Sequence, residues 1–242
     1  LKAMFKYGII LLKGDGISTI KNEEKGMQYI KIVAEKGFKD ALYYYYSIES
    51  KKDNVNEDKL YQLLKKAAFK GHIEAMYQYG KKLYDKCRND GKSQKESITF
   101  LKKATDAGHL ESMYWYSIIL NSDNCVPTDH TKSAKYMKIV ADEGNAEAMK
   151  DYALKLYHGN GIAIDKVVAA QYFKKAIDKG QIDAMHSYAF LLEKGEGITM
   201  NKEEAVKYYK MAIDQGHINA MNNYALMLYK GDGISMNKEL AA

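Results

Sequence analysis

The apolar residues of this chain recur with the period of a helix. From Ala148 they fall at Ala148, Tyr152, Ala153 and Leu156, and from Ala184 at Ala184, Tyr188, Ala189 and Leu192. Offsets of 0, 4, 5 and 8 place each set on one stripe of an α-helix. A second stripe follows each first one: Tyr172, Phe173, Ala176 and Ile177, then Tyr208, Tyr209, Ala212 and Ile213. Nothing alternates with the period of two that a half-buried strand needs, and the single proline, Pro127, falls in a loop. The pattern predicts an all-α chain made of helix pairs, a helix A followed by a helix B.

The pair is written repeatedly. AMFKYG opens at Ala3, ALYYYY at Ala41, AMYQYG at Ala75, SMYWYS at Ser112, AMKDYA at Ala148, AMHSYA at Ala184 and AMNNYA at Ala220, with spacings of 38, 34, 37, 36, 36 and 36 residues. One such pair cannot bury both of its stripes. Neighbouring pairs must therefore stack and share a continuous core, which predicts a solenoid.

Punctuation agrees with this division. Gly37, Gly71, Gly108, Gly144, Gly180 and Gly216 each stand four residues before the next opening, where a residue free to adopt the left-handed conformation stops helix B. Fifteen residues before these glycines stand Asn22, Asn56, Ser93, Asp129, Asp165 and Asn201, matched by Asn237 in the last repeat. All are preferred N-cap types, and Ser93 with Glu96 and Asn201 with Glu204 have capping-box spacing. Helix B is expected to start at each.

The pattern A-M-x-x-Y-[GA]-x-x-L-Y-x-G-x-G-I, followed by a capped helix ending K-x-A-x-x-G, resembles the Sel-one-like repeat (SLR) family, relatives of the tetratricopeptide repeats. The resemblance covers the whole chain. Repeats two to four depart from it in the interhelix loop, where KKDNVNE, KCRNDGKSQ and NSDNCVPTD replace the paired glycines. It implies a right-handed superhelical α/α solenoid of antiparallel helix pairs, with a concave face lined mainly by A helices. It further implies a scaffold or adaptor for other proteins, and an activity that is not enzymatic. The expected organisation is one repeat domain over 1–242, its seventh repeat cut short, taken from a longer protein.

Composition narrows the classes. A chain of 242 residues that is 46% hydrophobic and 28% charged is folded and globular. No run of 18 or more apolar residues offers a membrane span. Two cysteines, Cys87 and Cys125, are too few for a disulfide framework, which favours a reducing, cytoplasmic compartment. The net charge of +6 raises a basic-surface binder of nucleic acid or phosphate as the alternative function. Arg88 is the only arginine, so the bidentate groups that read phosphate and guanine are missing and nucleic acid is a weak partner.

Four features of the sequence carry residue types capable of chemistry. The loops GDG at 14–16, GNG at 159–161, GEG at 195–197 and GDG at 231–233 lack the strand, third glycine or G-K-[ST] of a phosphate cradle, and read as turns. His72, His109 and His217 share one position after the closing glycine, where a role at the start of helix A fits better than zinc ligation. Cys87 and Cys125, with His130 near the second, lack an orienting third group for nucleophilic catalysis. Asp40, Glu74, Glu111, Glu147 and Asp183 precede the openings and suit the positive end of helix A. No catalytic residue, metal or cofactor is expected.

The column two residues after each opening changes character along the chain. It reads Phe5, Tyr43, Tyr77 and Tyr114, then Lys150, His186 and Asn222. With Trp115 next to Tyr114, and Lys81 and Tyr84 further along the helix of Tyr77, the row forms a candidate surface for a protein or peptide partner. Two readings stay open. These rings are either contacts for a partner or ordinary packing between repeats.

Overall fold

The structure, a computed structural model, describes residues 1–14, 21–54, 56–86, 91–122 and 127–241. It is all-α, and it divides into two compact units, Leu1–Tyr116 and Ser117–Ala242. Unit one holds α1 (Lys2–Lys13), α2 (Glu23–Glu35), α3 (Lys39–Glu49), α4 (Glu57–Phe69), α5 (Ile73–Lys86) and α6 (Gly91–Asp106). Helix α7 (Leu110–Leu120) carries the division between the units. Unit two continues with α8 (His130–Asp142), α9 (Ala146–His158), α10 (Lys166–Asp178), α11 (Ile182–Lys194), α12 (Lys202–Ile213), α13 (Ile218–Lys230) and α14 (Lys238–Ala241). Odd-numbered helices are the A helices and even-numbered ones the B helices. Each helix from α1 to α6 packs on the next, as does each from α8 to α14, which is the contact pattern of a solenoid. No helix among the described residues is long and apolar enough to cross a membrane.

The apolar stripes are the core. Ala148, Tyr152, Ala153 and Leu156 are buried, as are Ala184, Tyr188, Ala189 and Leu192, and on α10 Tyr172, Phe173, Ala176 and Ile177. On α12 the stripe is narrower: Tyr209 and Ala212 are buried while Tyr208 and Ile213 are half-exposed. Alanine at the opening position lets backbones approach. Ala41, Ala75, Ala148, Ala184 and Ala220 are all fully enclosed.

Caps fix the ends of these helices. The side chains of Asn22, Asn56, Asp129, Asp165, Asn201 and Asn237 each accept from a backbone N–H three residues on, at 2.8–3.0 Å, worth about 1 kcal/mol apiece. Ser93 is the exception. Helix α6 already runs from Gly91, so residue 93 lies inside it. A capping side chain favours a start but does not forbid helix before it, and residues 91–93 hold no proline or β-branched residue to prevent the extra turn.

A further bond, absent from any local motif, closes the A-to-B hairpin. The N–H of the cap residue donates to the carbonyl of the leucine eight residues into helix A: Asn22 to Leu11, Asp129 to Leu120, Asp165 to Leu156, Asn201 to Leu192 and Asn237 to Leu228, at 2.8–3.0 Å. The fourth repeat keeps this bond although its loop has no glycine pair. In these five repeats the cap and the leucine together close the hairpin.

Candidate interaction surface

The A helices begin with a ladder that links repeat to repeat. After four of the closing glycines the next residue caps the following A helix: Nδ1 of His72, His109 and His217 accepts from the N–H of Ala75, Ser112 and Ala220, and Oδ1 of Asn145 from Ala148; Phe38, after Gly37, makes no such bond. An Nδ1 that accepts leaves the proton on Nε2. That proton faces the acid at the start of the preceding A helix. His109 Nε2 lies 2.9 Å from Glu74, and His217 Nε2 lies 3.4 Å from Asp183. Gln181 Nε2 donates to Glu147 in the same way. The histidines therefore start helices, as their spacing implies, and the acids reach across to the next repeat besides facing their own helix dipole.

The aromatic column lies beside this ladder in unit one. Phe5 packs edge-on against Phe38 and Tyr44, with centroids 5.7 Å away in both cases. Tyr43 stacks on His72 at 4.3 Å and accepts from Gln78 Nε2 at 2.9 Å. Tyr77 tilts over His109 at 4.8 Å. Phe5, Tyr43 and Tyr77 are half-buried against the core of the unit. Burial raises the pKa of Tyr43 and of Tyr77.

Trp115 gathers the remaining predicted residues. Lys81 Nζ lies 4.1 Å from the centre of its ring, a cation–π contact. Tyr84 and Tyr114 approach it at 6.1 Å each, and Trp115 acts on the Tyr77 phenol against the rise that burial causes. Helices α5 and α7 thus bring Tyr77, Lys81, Tyr84, Tyr114 and Trp115 into one cluster, while Phe5 and Tyr43 stand apart on α1 and α3. Lys81 also pairs with Asp85 at 3.5 Å.

In unit two the same column turns polar. Lys150 pairs with Glu147, with Asp151 at 3.3 Å and with Asp183 at 3.6 Å, and His186 stacks on His217 at 4.7 Å. Two hollows of about 340 Å³ each open beside α9. One holds Asn121, Asp151 and Lys155; the other is lined by Tyr157, Phe173, Phe190 and Leu191. Sequence reading misses both. The signal was a second column, six residues after the openings, which runs Ile118, Leu154, Phe190 and Leu226, and a lysine at a position otherwise apolar in this unit.

In unit two the acids between the loop glycines are held by lysines of the preceding B helix. Asp232 Oδ1 takes Lys202 Nζ at 2.6 Å, and Glu196 Oε2 takes Lys166 Nζ at 2.8 Å and Tyr157 Oη at 2.6 Å. The second bond pushes the Tyr157 phenol up to about 12. Among the described residues no group of three His, Cys, Asp or Glu is placed to hold a metal ion. Cys87 and Cys125 lie outside the described residues. His130 Nδ1 lies 2.9 Å from Asn121 Oδ1.

Capped helix pairs stacked through a repeat-to-repeat ladder define an α/α repeat protein. The Sel1 repeat profile matches residues 1–38, 73–109, 110–145, 146–181, 182–217 and 218–242, and the chain belongs to the Sel1 repeat family. The repeat opening at Ala41 is the one left unmatched. Proteins built from these repeats are generally protein–protein interaction scaffolds. No curated protein matches the sequence. Among solved structures, a protective antigen of uropathogenic Escherichia coli with an SLR fold superposes with a TM-score of 0.75 at 19% identity, over 89% of this chain and 46% of that one. This chain thus spans less than half of that relative's length. A Sel1 repeat protein from Oxalobacter formigenes gives a TM-score of 0.73 at 22% identity, over 98% of this chain and 93% of that one. At such identities the likeness is one of fold.

Proposed function

We propose that this protein is a non-catalytic scaffold that holds a segment of a partner protein against the A-helix face of unit one. The observation that carries this reading is the cluster around Trp115. Tryptophan and tyrosine bury large area with few rotatable bonds, and a half-exposed group of them backed by a rigid core is the usual anchor of recognition. Lys81 adds a cation that suits a partner segment with acidic or aromatic side chains. Phe5 and Tyr43 extend the same face towards α1 and α3.

The test is to identify the partner by affinity capture and mass spectrometry, and then to measure its affinity for purified variants. Trp115→Ala should weaken binding at least about tenfold while the helical signal stays intact. Unchanged affinity in Trp115→Ala and in Tyr84→Ser would place the partner elsewhere.

A further inference from the structure

Within unit two one position breaks the repeat. Seven residues after the opening, α7, α11 and α13 carry Ile119, Leu191 and Met227, none more than 2% exposed. Helix α9 carries Lys155 there, and it too is buried, at 7% exposure. Lys82, the lysine of this column in unit one, stays half-exposed. A buried ammonium is costly unless it is paired.

Lys155 is poorly paired. Nζ donates to Asn121 Oδ1 at 2.9 Å, a neutral oxygen that also lies 2.9 Å from His130 Nδ1. Among the described residues no carboxylate forms an ion pair with it. Asp151, whose charge acts on it from one turn away, is engaged by Lys150 at 3.3 Å. An ammonium carries three donors, and among the described residues only the one to Asn121 finds an acceptor. Burial holds its pKa below the usual lysine value, with Asp151 acting the other way.

The unused donors belong to a residue that lines an open hollow of about 340 Å³, together with Ile118, Asn121, Leu154 and His158. Leu154 and His158 also line the second hollow, whose other walls include Tyr157, Phe173 and Phe190. A cation in one compartment and an apolar, aromatic surface in the next share a single ridge. Their volumes are those of small-ligand pockets.

We propose that Lys155 anchors a binding site for a carboxylate carried on an apolar body. The acid group would sit against Nζ and the Asn121 amide, and the body would cross the Leu154 ridge onto Tyr157 and Phe190. One buried cation matches a monoanion. A phosphate dianion would leave excess negative charge beside Asp151. The site is separate from the aromatic cluster of unit one and does not depend on it. Its carboxylate can come from a free organic acid or from the carboxyl end of a polypeptide ending in an apolar residue.

The experiment uses the full chain labelled with ¹³C at the lysine ε-carbons, the Lys155 signal being assigned by its loss in Lys155→Met. Three probes are titrated: phenylacetate, an acetylated tripeptide ending in leucine with a free carboxyl group, and the same tripeptide amidated. A saturable shift of the Lys155 signal is expected with an acid and none with the amide, and the tighter acid identifies the source. Lys155→Gln should bind at least about tenfold more weakly. Lys155→Met, with the side chain that Met227 places in α13, should melt at or above the wild-type temperature. No saturable shift with either acid, equal binding of the amide, or unchanged affinity in Lys155→Gln would overturn the site.

Discussion

Gly197 lies at φ 70°, and a Cβ placed on it would stand 2.2 Å from the carbonyl carbon of Lys166. Lys166 is the first residue of α10, the B helix of the preceding repeat, so this glycine is where one repeat presses on another. Gly195, the first of the pair, is also left-handed at 68°, but its added Cβ would meet only Met200 Cβ, at 3.1 Å. Two costs therefore separate. Gly195→Ala carries mainly the left-handed penalty of roughly 1 kcal/mol. Gly197→Ala adds a clash with backbone that no rotamer relieves, and should cost more than about 2 kcal/mol. Urea unfolding followed by circular dichroism compares the two; equal losses would mean that the repeats part easily at this contact.

Helix starts make the fold sensitive to pH. Burial lowers the pKa of His72 and of His186 from the ordinary value of 6.5. His72 also feels Asp40, Lys39 and Glu74, and His186 feels His217 and Asp183. Below the ordinary value the unfolded chain binds protons that the folded chain refuses, so stability falls as pH drops through that range and levels off below the folded pKa. The denaturation midpoint should therefore be lower at pH 5.5 than at pH 7.5. His72→Asn with His186→Asn should flatten the dependence, since Asn145 already caps α9 and Asn222 occupies the 186 position in α13. Equal slopes in variant and parent would assign the effect to other groups.

The elements themselves were legible in the sequence, because stripe spacing, cap type and terminal glycine each follow from the local geometry of one helix. Ser93 shows the limit: a cap preference of about 1 kcal/mol does not fix a boundary when the residues before it tolerate helix. The acid-to-cap ladder was less legible. Glu74 and Asp183 already had a sufficient local reason in the helix dipole, so their second partners, 35 and 34 residues away, left no separate trace. For the site, the cluster round Trp115 could be proposed from one column of the repeat. Lys155 needed its burial to be seen, since a lysine in a lysine-rich chain reads as surface.

At the scale of the whole molecule, the same junction recurs through unit two. Gly161 presses on His130, Gly197 on Lys166 and Gly233 on Lys202, each partner being the first residue of a B helix. The residue between the glycines follows suit, with Glu196 on Lys166 and Asp232 on Lys202. Removing residues 182–217 would bring Gly233 and Asp232 against Lys166, which offers the same backbone and the same ammonium as Lys202. The shortened protein should fold, with helical signal reduced in proportion to its length and a cooperative melt. Aggregation or a lost transition would show that these junctions are not equivalent. If they are, the array is a chain of identical couplings, and its length changes by recombination only in whole strides of one repeat. Partner contacts can then be gained or dropped as complete modules, with no core left to redesign.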